Sequence, residues 1–331
     1  MNLTLPLRIS GIGRYLPSRI VPSSELELMC GVPEGWVERR NGVRERRWVT
    51  TETSSFMAAQ AALEALGEAG LEPGELDLII NASGTAEQAI PDTGALIQRE
   101  LGLGRSGIPA MSVHTTCLSF ITALEVAGHF LLSGRFSRIL VASSDISSCG
   151  IDLKQPESAS LVGDAAAAVV LTRSEAEDPS RICNAHFRTY GDGANLTSIR
   201  GGGSARHPHK PGHYPGDDLF RMDGPAVLRM VRQFDEVFLE ELYPGLSKSL
   251  VDIDLVVPHQ SSRVGLQLLQ RYGWPEASIV RTLGELGNCV AASIPVTLYE
   301  AVQSRRVKRG DKVLLIGTGA GLSLGGLVLV Y

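Results

Sequence analysis

Residues 75–80 are echoed by residues 252–257, and this echo, whose competing reading is chance similarity between short apolar segments, constrains the fold more than any other feature. Glu75-Leu76-Asp77-Leu78-Ile79-Ile80 returns as Asp252-Ile253-Asp254-Leu255-Val256-Val257, an offset of 177 (254 − 77). Leu96-Ile97-Gln98-Arg99 returns as Leu268-Leu269-Gln270-Arg271 at 172 (270 − 98), and Ala123-Leu124-Glu125-Val126-Ala127 finds Thr297-Leu298-Tyr299-Glu300-Ala301-Val302 at 175 (300 − 125). A period this long excludes a solenoid, whose units are far shorter. The echoes alternate apolar strand-like runs with helical patterns. They predict an α/β protein of two similar halves, residues 1–175 and 176–331, each covering a sheet with helices and packed as one body.

The rest of the pattern fits that frame. Leu7 to Tyr15 reads as a strand with Gly11 and Gly13 at bends and Pro17 as its stop, followed by a polar stretch from Val21 to Thr53. Ser54 is placed to cap a helix running to about Ala69, Leu76 to Asn81 is a short buried strand, and Thr93 to Leu101 is helical. Strands are expected at Arg138–Ser143 and Ala165–Leu171, and a long helix from Met222 to Leu242. Asp192 to Asp218 is a loop rich in Gly, Pro and His. Its His207, His209 and His213 have no Cys or carboxylate at convincing ligand spacing, so no metal is assigned.

Composition bounds the setting. The 331 residues, 44% hydrophobic and 20% charged, suffice for a large core in a soluble globular protein. No apolar run is read as membrane-spanning and the N-terminus has no signal-peptide pattern, so the expected compartment is the cytoplasm, with no membrane partner. A net charge of −5 argues against a nucleic-acid binder. Five scattered cysteines without any Cys-x-x-Cys spacing point to reduced thiols.

Three segments carry candidate chemistry. An apolar run, Ile108 to Val113, leads through His114-Thr115-Thr116 to Cys117, and a helical pattern follows from Leu118 to Leu132. A thiol at a helix start meets unpaired amides and the positive end of the dipole, which favour the thiolate; the competing reading is a buried structural cysteine. His259 follows the second-half strand within Pro258-His259-Gln260-Ser261-Ser262, where α/β sheets tend to place ligands. Asn288, in Gly287-Asn288-Cys289, is either functional or the cap of the next helix. Gly317-Thr318-Gly319-Ala320-Gly321 joins two strands as a tight hairpin or as a source of amides for an oxyanion.

The ordered set Cys117, Pro258-His259-Gln260, Gly287-Asn288 and the Gly-rich terminal hairpin resembles the thiolase superfamily, and within it the β-ketoacyl-acyl-carrier-protein synthase III branch. Glu34-Gly35-Trp36 through Gly42-Val43-Arg44-Glu45-Arg46 resembles that branch's early segment, and the match runs over essentially the whole length. The resemblance implies a five-layered α-β-α-β-α fold and a homodimer. It implies an enzyme that performs decarboxylative Claisen condensation of an acyl-CoA or acyl-ACP with malonyl-ACP or malonyl-CoA, through an acyl-Cys117 intermediate. No cofactor is permanently bound; CoA and phosphopantetheine thioesters are substrates, and acyl carrier protein is the expected partner.

By the same resemblance, His259 and Asn288 handle the malonyl partner, and the amides of Cys117 and Gly319 form the oxyanion hole. Trp36, Arg40, Ser262 and Arg263 hold CoA or phosphopantetheine. Ile90, Leu118 and Leu228 line the acyl pocket, with Ile90 where the family's partner subunit lends a residue. The chain departs from the branch in His114-Thr115-Thr116 and Leu118 around the cysteine, in Ser261-Ser262 after the histidine, in an Arg263 one place early, and in Pro225 where the branch has Asn. Two other functions compete: acyl transfer from Cys117 to an alcohol or amine, and a non-catalytic thiolase-fold partner subunit. Asn288 favours condensation over the first, because simple acyl transfer has no enolate to stabilise.

Overall fold

The computed structural model describes residues 4–249 and 251–331. In the first half, strand β1 (Arg8–Tyr15) precedes helix α1 (Ser54–Ala69), strand β2 (Leu78–Asn81), helix α2 (Thr93–Glu100), strand β3 (Ala110–Ser112), helix α3 (Ser119–Ser133) and strands β4 (Arg138–Asp145) and β5 (Ala165–Thr172). The second half runs β6 (Arg181–Thr189), α4 (Gly224–Leu242), β7 (Leu255–Pro258), α5 (Arg263–Leu269), α6 (Ser293–Gln303), β8 (Lys312–Gly319) and β9 (Ser323–Val330).

The first sheet has the order β1-β5-β4-β2-β3, with β5 antiparallel to both β1 and β4 and with β4, β2 and β3 parallel. The second repeats it as β6-β9-β8-β7, again antiparallel until the last, parallel pair. Where the first sheet has β3, the second has a single parallel bridge between Val256 and Ile279. Matching topology is what the sequence echo predicted.

Between the sheets lie α3 and α6, whose buried Phe120, Leu124, Ile294 and Leu298 meet inward-facing residues of both sheets, such as Val141 and Leu327. Helices α1 and α2 cover the outer face of the first sheet through Met57, Leu66 and Ile97. Helix α4 covers the second through Val231, Phe238 and Leu242. The result is the expected five-layered α-β-α-β-α stack. By length and composition Thr116–Ser133 is apolar enough to cross a membrane, contrary to the reading above; it lies instead at the centre of the stack.

Local chemistry explains further departures. Thr53, not Ser54, caps α1, its side chain accepting from the Phe56 amide. The pairing of β1 is irregular between Ile9 and Gly11, as the bend expected there requires, and Gly11 and Gly13 are also contact points: a Cβ on them would lie 2.0 Å from Ala65 O and 2.2 Å from Ala61 O, so only glycine lets α1 press on β1. The polar stretch from Val21 to Thr53 contains helices Ser23–Cys30 and Trp36–Asn41 and a ribbon pairing Arg19–Pro22 with Glu45–Trp48. Arg46 is completely buried there, donating to Val21 O, Ser23 Oγ and Ser160 O.

Candidate active site

Two matching turns, one from each half, meet at the centre of the molecule. In the first, Thr116 takes the left-handed conformation (φ 52°) and Thr116–Leu118 forms a short 3-10 turn before α3. The Ser119 hydroxyl accepts from the Thr115 amide at 3.0 Å. In the second, Val290 takes φ 51°, Val290–Ala292 forms the turn before α6, and the Ser293 hydroxyl accepts from the Cys289 amide at 3.0 Å. Both offsets are 174 (290 − 116 and 293 − 119), so the turns are copies. Cys117 occupies in one the place of Ala291 in the other (291 − 117 = 174). β-branched residues rarely adopt positive φ, and here they do so where the backbone must turn sharply.

Cys117 therefore stands in a tight turn ahead of the helix, and its uncovered surface faces an internal cavity. Burial, and secondarily the nearby Asp145 carboxylate, push its thiol up to about 12. The amides of Ala320 and Cys117 act in the opposite direction. The resting group is thus the neutral thiol, contrary to the thiolate expected from the helix terminus, because desolvation outweighs the dipole.

Asp145, at the end of β4, was not foreseen. It is fully buried, and burial pushes its carboxyl up to about 6. Its Oδ1 accepts from the amides of Gly84 (2.9 Å) and Thr85 (2.8 Å) and from the Thr85 hydroxyl (2.9 Å). Its Oδ2 accepts from the Ala292 amide at 3.0 Å, tying the first half to the second turn. A lone carboxylate closing the run Ile139-Leu140-Val141-Ala142-Ser143-Ser144 was the available signal.

His259 follows β7, its amide donating to Ile316 O at 2.8 Å. The ring is buried, its Nδ1 lacks a hydrogen-bond partner among the described residues, and burial pushes it down to about 4, so it is neutral at ordinary pH. The next residue, Gln260, is a completely buried strut: its Oε1 accepts from the Thr282 and Leu283 amides, and its Nε2 donates to Pro258 O and Val280 O. Asn288 is not the cap of α6, whose N-cap is Ala292 without a side-chain cap bond. Its Oδ1 accepts from the Val290 amide at 2.9 Å within the turn, while Nδ2 donates one hydrogen to Ser261 O at 3.3 Å and the residue lines the cavity.

The terminal hairpin needs its glycines for close approach. A Cβ on Gly319 would lie 2.7 Å from Thr116 Oγ1, and one on Gly317 would lie 2.7 Å from His259 Cβ. It is the Ala320 amide, one residue beyond Gly319, that bears on the Cys117 sulfur.

One cavity of about 1350 Å³ is lined by Arg40, Cys117, Leu228, His259, Ser262, Arg263, Asn288 and Gly319, uniting residues from both halves. Ser262 also caps α5, accepting from the Gly265 amide at 3.1 Å, and Arg263 donates to Arg39 O at 3.0 Å. Three expected residues are not on its wall. Leu118 is completely buried between the sheets, behind Gly317 and Gly319. Trp36 packs against the cluster of Val37, Val43 and Leu266. Ile90 is 85% exposed, although Gln88 and Ala89 beside it do line the cavity. Among the described residues, no group of His, Cys, Asp and Glu is arranged to hold a metal ion.

Residues 111–191 match the family description 3-oxoacyl-[acyl-carrier-protein (ACP)] synthase III, and residues 246–331 match its C-terminal counterpart. The chain is 35% identical over 326 residues to the β-ketoacyl-[acyl-carrier-protein] synthase III of Aquifex aeolicus, covering 98% of this chain and 99% of that one. The crystal structure of 3-oxoacyl-[acyl-carrier-protein] synthase III from that organism superposes with a TM-score of 0.86 at 34% identity, over 98% of this chain and 100% of the other. The priming β-ketosynthase of the R1128 polyketide biosynthetic pathway superposes with a TM-score of 0.87 at 28% identity, over 100% and 98% of the two chains.

Proposed function

This chain belongs to the 3-oxoacyl-[acyl-carrier-protein] synthase III family of the thiolase superfamily, and from that premise we propose that it condenses an acyl thioester with a malonyl thioester through Cys117. The observation that carries the reading is convergence. Cys117, His259, Asn288 and the Ala320 amide come from four distant segments, and all bear on one cavity or on the sulfur within it.

In the first step the Cys117 sulfur attacks the carbonyl carbon of an acyl-CoA or acyl-ACP. The thiol proton passes to the neutral His259 imidazole and on to the departing CoA or carrier thiolate, so a thioester is exchanged for a thioester. The tetrahedral oxyanion is held by the amides of Cys117 and Ala320. In the second step a malonyl thioester binds, loses CO2 and leaves an enolate. Neutral His259, donating from Nε2, and the unused Asn288 Nδ2 hydrogen stabilise its oxygen. The enolate carbon attacks the acyl-Cys117 carbonyl, the C–S bond breaks, the released Cys117 thiolate takes up a proton from solvent to restore the thiol, and a β-ketoacyl thioester leaves. A neutral imidazole suits this task because it offers a donor without requiring a buried cation.

Arg40, Ser262 and Arg263 at the cavity wall suit the phosphate-bearing arm of CoA or phosphopantetheine, with Trp36 behind them as packing. We read residues 1–175 and 176–331 as the duplicated halves, and two copies as the working unit, with exposed Ile90 contributing across the interface. The reading places the enzyme in the cytoplasm with its thioester substrates. Incubation with acetyl-CoA tests it: intact-protein mass spectrometry should show one acetyl group, absent from Cys117→Ala, and malonyl-ACP should then discharge it as acetoacetyl-ACP. A wild-type protein that never gains the acetyl mass contradicts the proposal.

A further inference from the structure

Helix α4 presents to the second sheet a stripe at helical spacing: Leu228, Val231, Asp235, Phe238, Leu239 and Leu242. All but one are apolar. Asp235 stands where the pattern requires a hydrophobe, and it is only 7% exposed. Leu228, Val231, Asp235 and Leu239 line the same cavity as Cys117, together with Ile316 and Leu324 of the sheet, so the cavity continues beneath α4. Its volume of about 1350 Å³ exceeds what most small-molecule pockets enclose, roughly 300–1,000 Å³. From Leu228 to Asp235 is two helical turns, about 10 Å. An extended acyl chain fits that run.

The carboxylate has few partners. Tyr272, 5% exposed and also on the wall, donates its hydroxyl to Asp235 Oδ2 at 2.5 Å, and the Glu236 amide donates to Oδ1 at 2.9 Å. A carboxylate can accept about four hydrogen bonds, so acceptor capacity remains, and the Tyr272 oxygen can accept as well. A pair of acceptors facing an apolar channel is costly when empty and is satisfied by a ligand that brings a donor.

We propose that the part of the cavity beneath α4 binds the acyl chain and that Asp235 with Tyr272 selects chains carrying a hydrogen-bond donor, a hydroxyl or an ammonium, at their far end. The proposal rests on the thioester reading above and names its substrate class. The test loads wild-type enzyme with acyl-CoA series of graded length ending in methyl, hydroxyl or ammonium groups, and reads kcat/KM for acylation of Cys117. At the length that reaches Asp235, the donor-ended chains should be favoured about tenfold over the methyl-ended chain, the worth of one good hydrogen bond. Asp235→Leu and Tyr272→Phe should lower that ratio, read within each variant so that a general loss of activity cancels. Asp235→Asn should keep preference for the hydroxyl and lose it for the ammonium, which separates the two donors. Methyl-ended chains that load equally well at every length, or a ratio unmoved in Asp235→Leu, overturn the proposal. Should no acyl-CoA load at all, the catalytic reading fails instead, and calorimetric binding of ω-hydroxy against unsubstituted fatty acid to wild type and Asp235→Leu decides the inference by the same ratio.

Discussion

Cys117 is held protonated by its surroundings, and the residue that adds most to burial in doing so is Asp145. Replacing Asp145 with Asn removes the like charge. The thiol should become more acidic and its alkylation by iodoacetamide faster at a given pH, while the lost acceptor for the Ala292 amide costs about 1–3 kcal/mol of stability. An unchanged pH profile of alkylation contradicts this account. Cys117, His259 and Asn288, which the fold brings to one cavity, could be singled out in the sequence because each sits at a boundary that local pattern reveals: strand to helix, strand end, or turn to helix. Asp145 was not, because its partners Gly84, Thr85 and Ala292 are brought to it only by the tertiary fold. The Ala320 amide, which bears on the Cys117 sulfur, was not singled out either, because the glycine pattern marks the hairpin but not which amide turns inward.

At the scale of elements, the site depends on backbones touching backbones. A methyl group on Gly319 meets Thr116 Oγ1 and Thr115 O, so Gly319→Ala should push the hairpin off the cysteine turn and slow Cys117 acylation at least tenfold, on the premise that a small misplacement of the oxyanion donor is expensive. Single-turnover acylation monitored by mass spectrometry checks it; an unaltered rate contradicts it. Gly13→Ala should instead leave chemistry alone and destabilise the α1–β1 packing by about 1–3 kcal/mol, measured by urea unfolding, since its Cβ meets main-chain atoms that cannot swing away. Main strands and helices were legible from their periodicity. The segment from Val21 to Thr53 was not, because its short helices are held by hydrogen bonds around a buried Arg46, and arginine ordinarily signals surface.

For the whole molecule, duplication was the most legible property, since each half must bury its own sheet and therefore repeats the apolar pattern. It also sets two buried titratable groups against each other. His259 falls from 6.5 to about 4 on folding, so its contribution is intact above pH 6.5 and is lost as pH falls toward 4, by about 3 kcal/mol. Asp145 rises from 3.8 to about 6, so it costs stability at neutral pH and returns about 3 kcal/mol as pH falls through the same window. The two should largely cancel. Relative to wild type, His259→Asn should gain stability between pH 7 and 4.5 and Asp145→Asn should lose it, in urea unfolding at both pH values; parallel curves for all three contradict the assignment. The central claim is a division of labour between halves: sulfur from one, enolate stabilisation from the other. It is tested most directly by loading wild type and Asn288→Ala with acetyl-CoA and then measuring CO2 release from malonyl-ACP. The account predicts full acetylation of both proteins and a loss of CO2 release of a hundredfold or more, roughly, in the variant; equal CO2 release by the two, or failure of the variant to acetylate, would contradict it.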